Sequence, residues 1–111
     1  MLVKEKEIEN SILDYLAILP NAKFWKVDTT GIFDSKKGVF RQRKSKHRYK
    51  GVSDIIGFYK CRFIAIEVKT PSRRKNTTVY QEEFLEAAAS NGQIAIVACS
   101  VQEVANVLVK L

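Results

Sequence analysis

Soft metal ligands are scarce in this 111-residue sequence, which has one histidine, His47, and two cysteines, Cys61 and Cys99. The two thiols lack the paired spacing of a metal site, which argues against zinc. They read as small, buried or semi-exposed thiols of a reducing compartment. Prolines number two and glycines five, and no linker, repeat or low-complexity tract divides the chain. Residues 1–111 are therefore expected to form a single domain, long enough to bury roughly 60–70% of its unfolded surface. Long apolar runs are missing too. The start, MLVKEKEIEN, turns polar after three residues, and no run approaches the ~20 residues of a membrane-spanning helix. The expectation is a soluble, intracellular protein with no membrane partner.

Acid is absent from Ser35 to Lys50. That stretch, SKKGVFRQRKSKHRYK, carries Lys36, Lys37, Arg41, Arg43, Lys44, Lys46, Arg48 and Lys50 without an Asp or Glu, in a chain of net charge +7. Such a cluster neutralises phosphates and releases counterions, giving affinity for nucleic acid that is independent of sequence and falls steeply with salt. A solvated loop serving solubility is the plainer alternative. Phe40, His47 and Tyr49 interleave with the charges and would stack on bases or anchor the loop; His47 reads as a nucleic-acid contact or surface residue rather than a general base. A second basic group, Arg73, Arg74 and Lys75, follows further along.

Between these patches lies VSDIIGFYKCRFIAIEVK, from Val52 to Lys69. Ile64, Ile66 and Val68 alternate with Ala65, Glu67 and Lys69, so a strand puts branched apolar residues on one face and Glu67 with Lys69 on the other. Folding Asp54–Tyr59 back through the Tyr59-Lys60-Cys61-Arg62 corner, by a two-residue or a four-residue turn, pairs Phe58 with Phe63, and hence Asp54 with Glu67. Opposed residues in an antiparallel pair have Cβ atoms about 4.5–5.5 Å apart, so two carboxylates there repel unless a cation sits between them. Oxygen ligands suit Mg²⁺ or Mn²⁺. A solvated face carrying an ordinary Glu-Lys ion pair is the alternative for E-V-K taken alone.

Around this hairpin the spacing predicts a helix over Lys4–Leu19, with Ile8, Ile12, Leu13, Leu16 and Leu19 as its buried stripe and Pro20-Asn21 as its stop. Glu9 falls on or beside that stripe and is the better third carboxylate, whereas Glu5 suits the helix dipole. Strands are expected over Lys23–Thr29, around Val39–Arg43 and over Gln93–Ala98. A helix over Thr78–Ser90 opens on T-x-x-Q and stops at Asn91-Gly92; a last helix starts at Ser100, with Glu103 completing S-x-x-E and Val104, Val107, Leu108 and Leu111 facing inward. Gln81 has two readings, the reciprocal capping contact and a contact to the lysine, water or phosphate. The order is α-β-(β)-β-β-α-β-α.

On the E-x-x-I-x-x-x-L at Glu9, G-V-S-D at Gly51–Asp54, I-E-V-K at Ile66–Lys69 and Gln81-x-x-Phe84 before a Gly92-led strand, the chain resembles the PD-(D/E)XK nuclease superfamily. Within it the chain looks like a stand-alone phage-type VRR-NUC (virus-type replication-repair nuclease) domain, and the same residues are similar to archaeal Holliday-junction resolvases. Ser53 stands where the superfamily's name has proline, a position that shapes a turn and supplies no ligand. The resemblance implies an α/β, restriction-endonuclease-like core with a central mixed sheet flanked by helices in the order α-β-β-β-α-β. It implies a metal-dependent endodeoxyribonuclease acting on four-way or other branched DNA in replication, repair or recombination, working as a homodimer, in the cytoplasm of a host cell if phage-encoded. Asp54, Glu67, Glu9 and the carbonyl of Val68 would hold Mg²⁺, with Mn²⁺ as substitute, while Lys69 and Gln81 would serve catalysis. The dimer contact is assigned to the C-terminal helix or the hairpin aromatics. A flap or fork nickase, an RNA-directed nuclease and a non-catalytic nucleic-acid-binding module are the competing readings.

Overall fold

Ile8, Ile12 and Leu16, spaced four apart, form the buried stripe of the first helix, α1 (Glu5–Ala17). In the computed structural model, residues 4–27 and 50–111 and the backbone of 32–34 and 39–41 are described. The chain turns out of α1 at Asn21, whose φ of 57° is the left-handed conformation asparagine tolerates. It then runs through strands β1 (Ala22–Lys26), β2 (Ile32–Asp34), β3 (Val39–Arg41), β4 (Ile55–Tyr59) and β5 (Arg62–Val68). A 3-10 turn at Pro71–Arg73, helix α2 (Val79–Ser90), strand β6 (Ile94–Ala98) and helix α3 (Val101–Leu108) complete it. Strand β2, which pairs antiparallel with β3, was not expected.

The main sheet has four strands in the order β1-β4-β5-β6, antiparallel except for the β5–β6 pair. Parallel pairing requires a crossover, and α2 supplies it. The result is a mixed α/β sheet, α1 and α3 sharing one face with their apolar stripes against Ile55, Ile64, Ile66, Val68 and Ile96. On the opposite face α2 packs over β5 and β6. Strand β5 is thus covered on both sides, and Ile64, Ala65, Ile66, Glu67 and Val68 are all buried. Of the two turn lengths expected, the two-residue corner at Lys60-Cys61 is the one present, with φ of 50° and 63°. Both residues sit in the left-handed region that a primed hairpin turn demands and non-glycine residues adopt at a cost.

Local chemistry sets the helix ends. Thr78 and Gln81 make both halves of a capping box on α2, while at its C-terminus Gly92 (φ 74°) and Gln93 donate to the carbonyls of Ala89 and Ala88, closing the last turn. On α3 only half of the expected box forms: Ser100 accepts from the Glu103 amide, but the Glu103 carboxylate accepts from the Cys99 amide instead of the cap's own. The apolar face of α3 is spent within the fold, with Val104 and Leu108 buried against α1. Of the two surfaces expected to offer a dimer contact, this one keeps little apolar area open, with Val109, past its end, exposed. Among the described residues no helix is long and apolar enough to cross a membrane.

Candidate active site

The β4–β5 ladder ends with Ile55 opposite Ile66, so one further step sets Asp54 against Glu67. Asp54 is fastened on both sides. Its main-chain carbonyl accepts from the Val27 amide at 2.8 Å, and its carboxylate Oδ2 accepts from the Val68 amide at 2.8 Å. The side chain thereby takes the place of a ladder hydrogen bond at the point where the strands part.

Glu67 is only 1% exposed. Its Oε1 accepts from Gln81 Nε2 at 2.9 Å, while Oε2 is buried with no hydrogen-bond partner. An unpartnered buried carboxylate oxygen is costly. Burial, followed by the closeness of the Asp54 carboxylate, pushes the Glu67 carboxyl up to about 8, with Lys69 opposing. Two carboxyls so placed favour either a proton on one of them or a cation between them.

Lys69 lies on the Glu67 face, two residues along. Its Nζ donates to the Asn76 carbonyl at 3.3 Å and to Gln81 Oε1 at 3.4 Å. Gln81 fulfils both readings: its Oε1 accepts a hydrogen bond from the Thr78 amide at 2.9 Å as the capping contact, and its side chain bridges Glu67 to Lys69. Capping fixes the side chain so that Nε2 reaches the carboxylate. Gly51 makes the close approach possible. A Cβ there would lie 2.3 Å from Tyr80 main-chain atoms and 2.7 Å from the Gln81 nitrogen, and its φ is 83°, so only glycine lets the chain entering Asp54 pass against the first turn of α2. The need for a close approach at Gly51, and the burial of Ser53 beside it with an unpartnered hydroxyl, had no signal in the sequence beyond the G-V-S-D run itself.

Glu9 stands apart. Its Oε1 forms an ion pair with Lys26 Nζ at 3.7 Å, and its carboxyl is raised by burial and by the Asp54 charge against the pull of Lys26. Glu5 likewise acts on Glu67 by charge alone. The acidic end of α1 therefore faces the cluster without joining it: among the described residues no three Asp, Glu, His or Cys gather as a metal cage. At Val68 it is the amide, donated to Asp54, that meets the cluster.

Of the basic residues, Arg74 has a structural partner. Its Nη2 donates to both Glu103 oxygens at 2.6 Å, tying the 3-10 segment to α3, an anchoring role beside the expected phosphate contact. Arg73 and Lys75 are exposed. Lys50 is exposed with Nζ 5.4 Å from the centre of the Tyr80 ring. Lys36, Lys37, Arg43, Lys44, Lys46, His47, Arg48 and Tyr49 lie outside the described residues, as does the Arg41 side chain. Compared with known proteins, the chain matches no family model and no curated protein.

Proposed function

We propose that the protein is a metal-dependent, structure-selective DNA endonuclease of the PD-(D/E)XK type, resembling phage VRR-NUC domains, that cuts four-way or other branched DNA as a homodimer. The observation that carries this reading is the buried, unpartnered Glu67 Oε2 facing Asp54, beside Lys69. Two hard carboxylates, one with an unsatisfied oxygen, fit Mg²⁺ or Mn²⁺, and Mg²⁺ is commonly held by one or two carboxylates plus substrate phosphate. Asp54 and Glu67 would hold the ion, with the Val68 carbonyl, and with Glu9 through water. Bound there, it supplies polarisation of the scissile phosphate and a more acidic attacking water.

The chain's own residues do the rest. Gln81 engages Glu67 Oε1, leaving Oε2 for the site. Lys69, its ammonium held by Asn76 and Gln81, orients the water and offsets charge on the pentacovalent phosphorus; in its neutral form the same amine would be placed to take the water's proton. The basic stretch at 35–50, with Arg73 and Lys75, holds the phosphate backbone. One such site cuts one strand, so paired incisions across a junction call for two copies about a two-fold axis.

The test is a cleavage panel of duplex, single strand, flap, fork and four-way junction, in DNA and RNA forms, run with a solution mass measurement. Symmetric paired cuts in the DNA junction by a species of twice the chain mass are expected. A monomer that cuts flaps and spares junctions would overturn the resolvase part, and no cleavage of any substrate with Mg²⁺ or Mn²⁺ would leave a binding module.

The basic stretch carries a separate prediction. Replacing Arg41, Arg43, Lys44 and Lys46 together with Ser should flatten the slope of log affinity against log salt by about three to four, one phosphate contact each. An unchanged slope would make the stretch a solvated bystander.

A further inference from the structure

Among the described residues, the sheet face that carries Asp54 and Glu67 is only half covered. Alternation along β4 puts Asp54, Ile56 and Phe58 on that face, and the register adds Trp25 opposite Ile56 and Lys23 opposite Phe58. Helix α2 covers β5 and β6, and the β1–β4 half carries two rings that remain open, Trp25 at 46% and Phe58 at 52% exposure. They meet edge to face, with centroids 6.0 Å apart and planes at 75°, an arrangement that holds each ring in place while leaving a π-face to solvent. Four residues of strand separate Phe58 from Asp54, about 13 Å, so the rings lie within a few nucleotides of the carboxylate pair on one continuous surface. Lys23, exposed and directly opposite Phe58, adds a positive charge beside them.

Isolated exposed apolar residues are ordinary; a fixed aromatic pair with a lysine at its side, on the face of a phosphodiester site, matches what single-stranded nucleic acid requires. Successive bases stack on rings regardless of sequence while cations track the backbone. We infer that Trp25 and Phe58 form a stacking platform for unpaired bases of a DNA strand leaving the cleavage site, so that the enzyme reads a branch point through its unstacked nucleotides. The inference rests on the nuclease reading for the strand's path. It also assigns the hairpin aromatics to nucleic acid instead of to a second copy of the chain, because the lysine beside the rings complements phosphate and not another basic surface.

Trp25 is the only tryptophan, so its emission reports this face alone. In excess chelator, where cleavage plays no part, oligo-dT should quench that emission, and duplex of equal length should bind without quenching it. Phe58→Ala and Trp25→Ala, both at exposed positions and checked for unchanged thermal melting, should weaken oligo-dT binding, measured by anisotropy of a labelled strand, by about 5- to 100-fold. Trp25→Phe should keep most of it, and duplex affinity should hold in all three. Oligo-dT binding that leaves Trp25 emission and the variants' affinities unchanged would overturn the platform. So would emission that varies with protein concentration without DNA, together with conversion of a dimer to monomer in Trp25→Ala, since the rings would then lie in a protein interface. Failure of cleavage with quenching intact would count against the nuclease reading and leave the platform standing.

Discussion

Alanine at Asp54, Glu67 or Lys69 is expected to abolish cleavage of branched DNA, by roughly a thousand-fold or more at the carboxylates and about 10²–10³-fold at the lysine, while leaving DNA affinity in chelator near that of the wild type. On the proposed function the three would act on one phosphate: Asp54 is fixed by Val27 and Val68, Glu67 by Gln81, and Lys69 by Asn76 and Gln81. Each variant removes one charge of the cluster and none of the basic surface that binds phosphates. Gln81→Ala should fall between these variants and the wild type. Thr78→Ala, which loses the cap but keeps the amide beside Glu67, separates helix capping from positioning. Wild-type cleavage by Glu67→Ala, or full activity in excess chelator, would refute the proposed chemistry.

How much of this arrangement was readable follows from the range of each interaction. The Asp54–Glu67 register was legible because side-chain alternation and a two-residue corner fix an antiparallel hairpin locally, and the Phe58–Phe63 pair is observed. The T-x-x-Q cap was legible for the same reason. What Gln81 does with its remaining donor was left open, because Glu67 is fourteen residues away and reaches it only once α2 packs on β5. Arg74 looked like its basic neighbours until α3 brought Glu103, twenty-nine residues on, within 2.6 Å. The Lys60-Cys61 corner carries no turn glycine or asparagine, so strand pairing, not turn propensity, determines it. Glu9 was placed by helical periodicity as a third ligand, yet periodicity assigns a face and not a reach: Lys26 from β1 stands 3.7 Å from its carboxylate, whose Oε1 is buried with no hydrogen-bond partner. The open rings on the cluster's face belong to the same class: Trp25 gains its meaning only from β1 pairing with β4.

The second large effect is on stability against pH. The Glu67 carboxyl moves from 4.5 to about 8 on folding, so between those values the folded protein holds a proton there that the unfolded chain has released. The neutral carboxyl's advantage is fully present below pH 4.5, is lost as pH rises toward 8, and above that the folded state bears the whole cost of the buried charge. The shift corresponds to about 5 kcal/mol before solvent screening reduces it, or a melting temperature lower by on the order of 10–20 °C. Glu67→Gln keeps the shape and the Gln81 contact but cannot ionise. In chelator, melting temperatures of the two proteins should therefore coincide near pH 4.5, with the Gln variant the more stable at pH 8.5. Mg²⁺ should raise the wild-type melting temperature most at high pH, where binding need not displace the proton from Glu67, and should do little for the Gln variant. The same pH slope in both proteins would mean that Glu67 does not hold the proton. A Mg²⁺ effect that is equal at both pH values, or equal in both proteins, would place the ion away from this carboxylate pair.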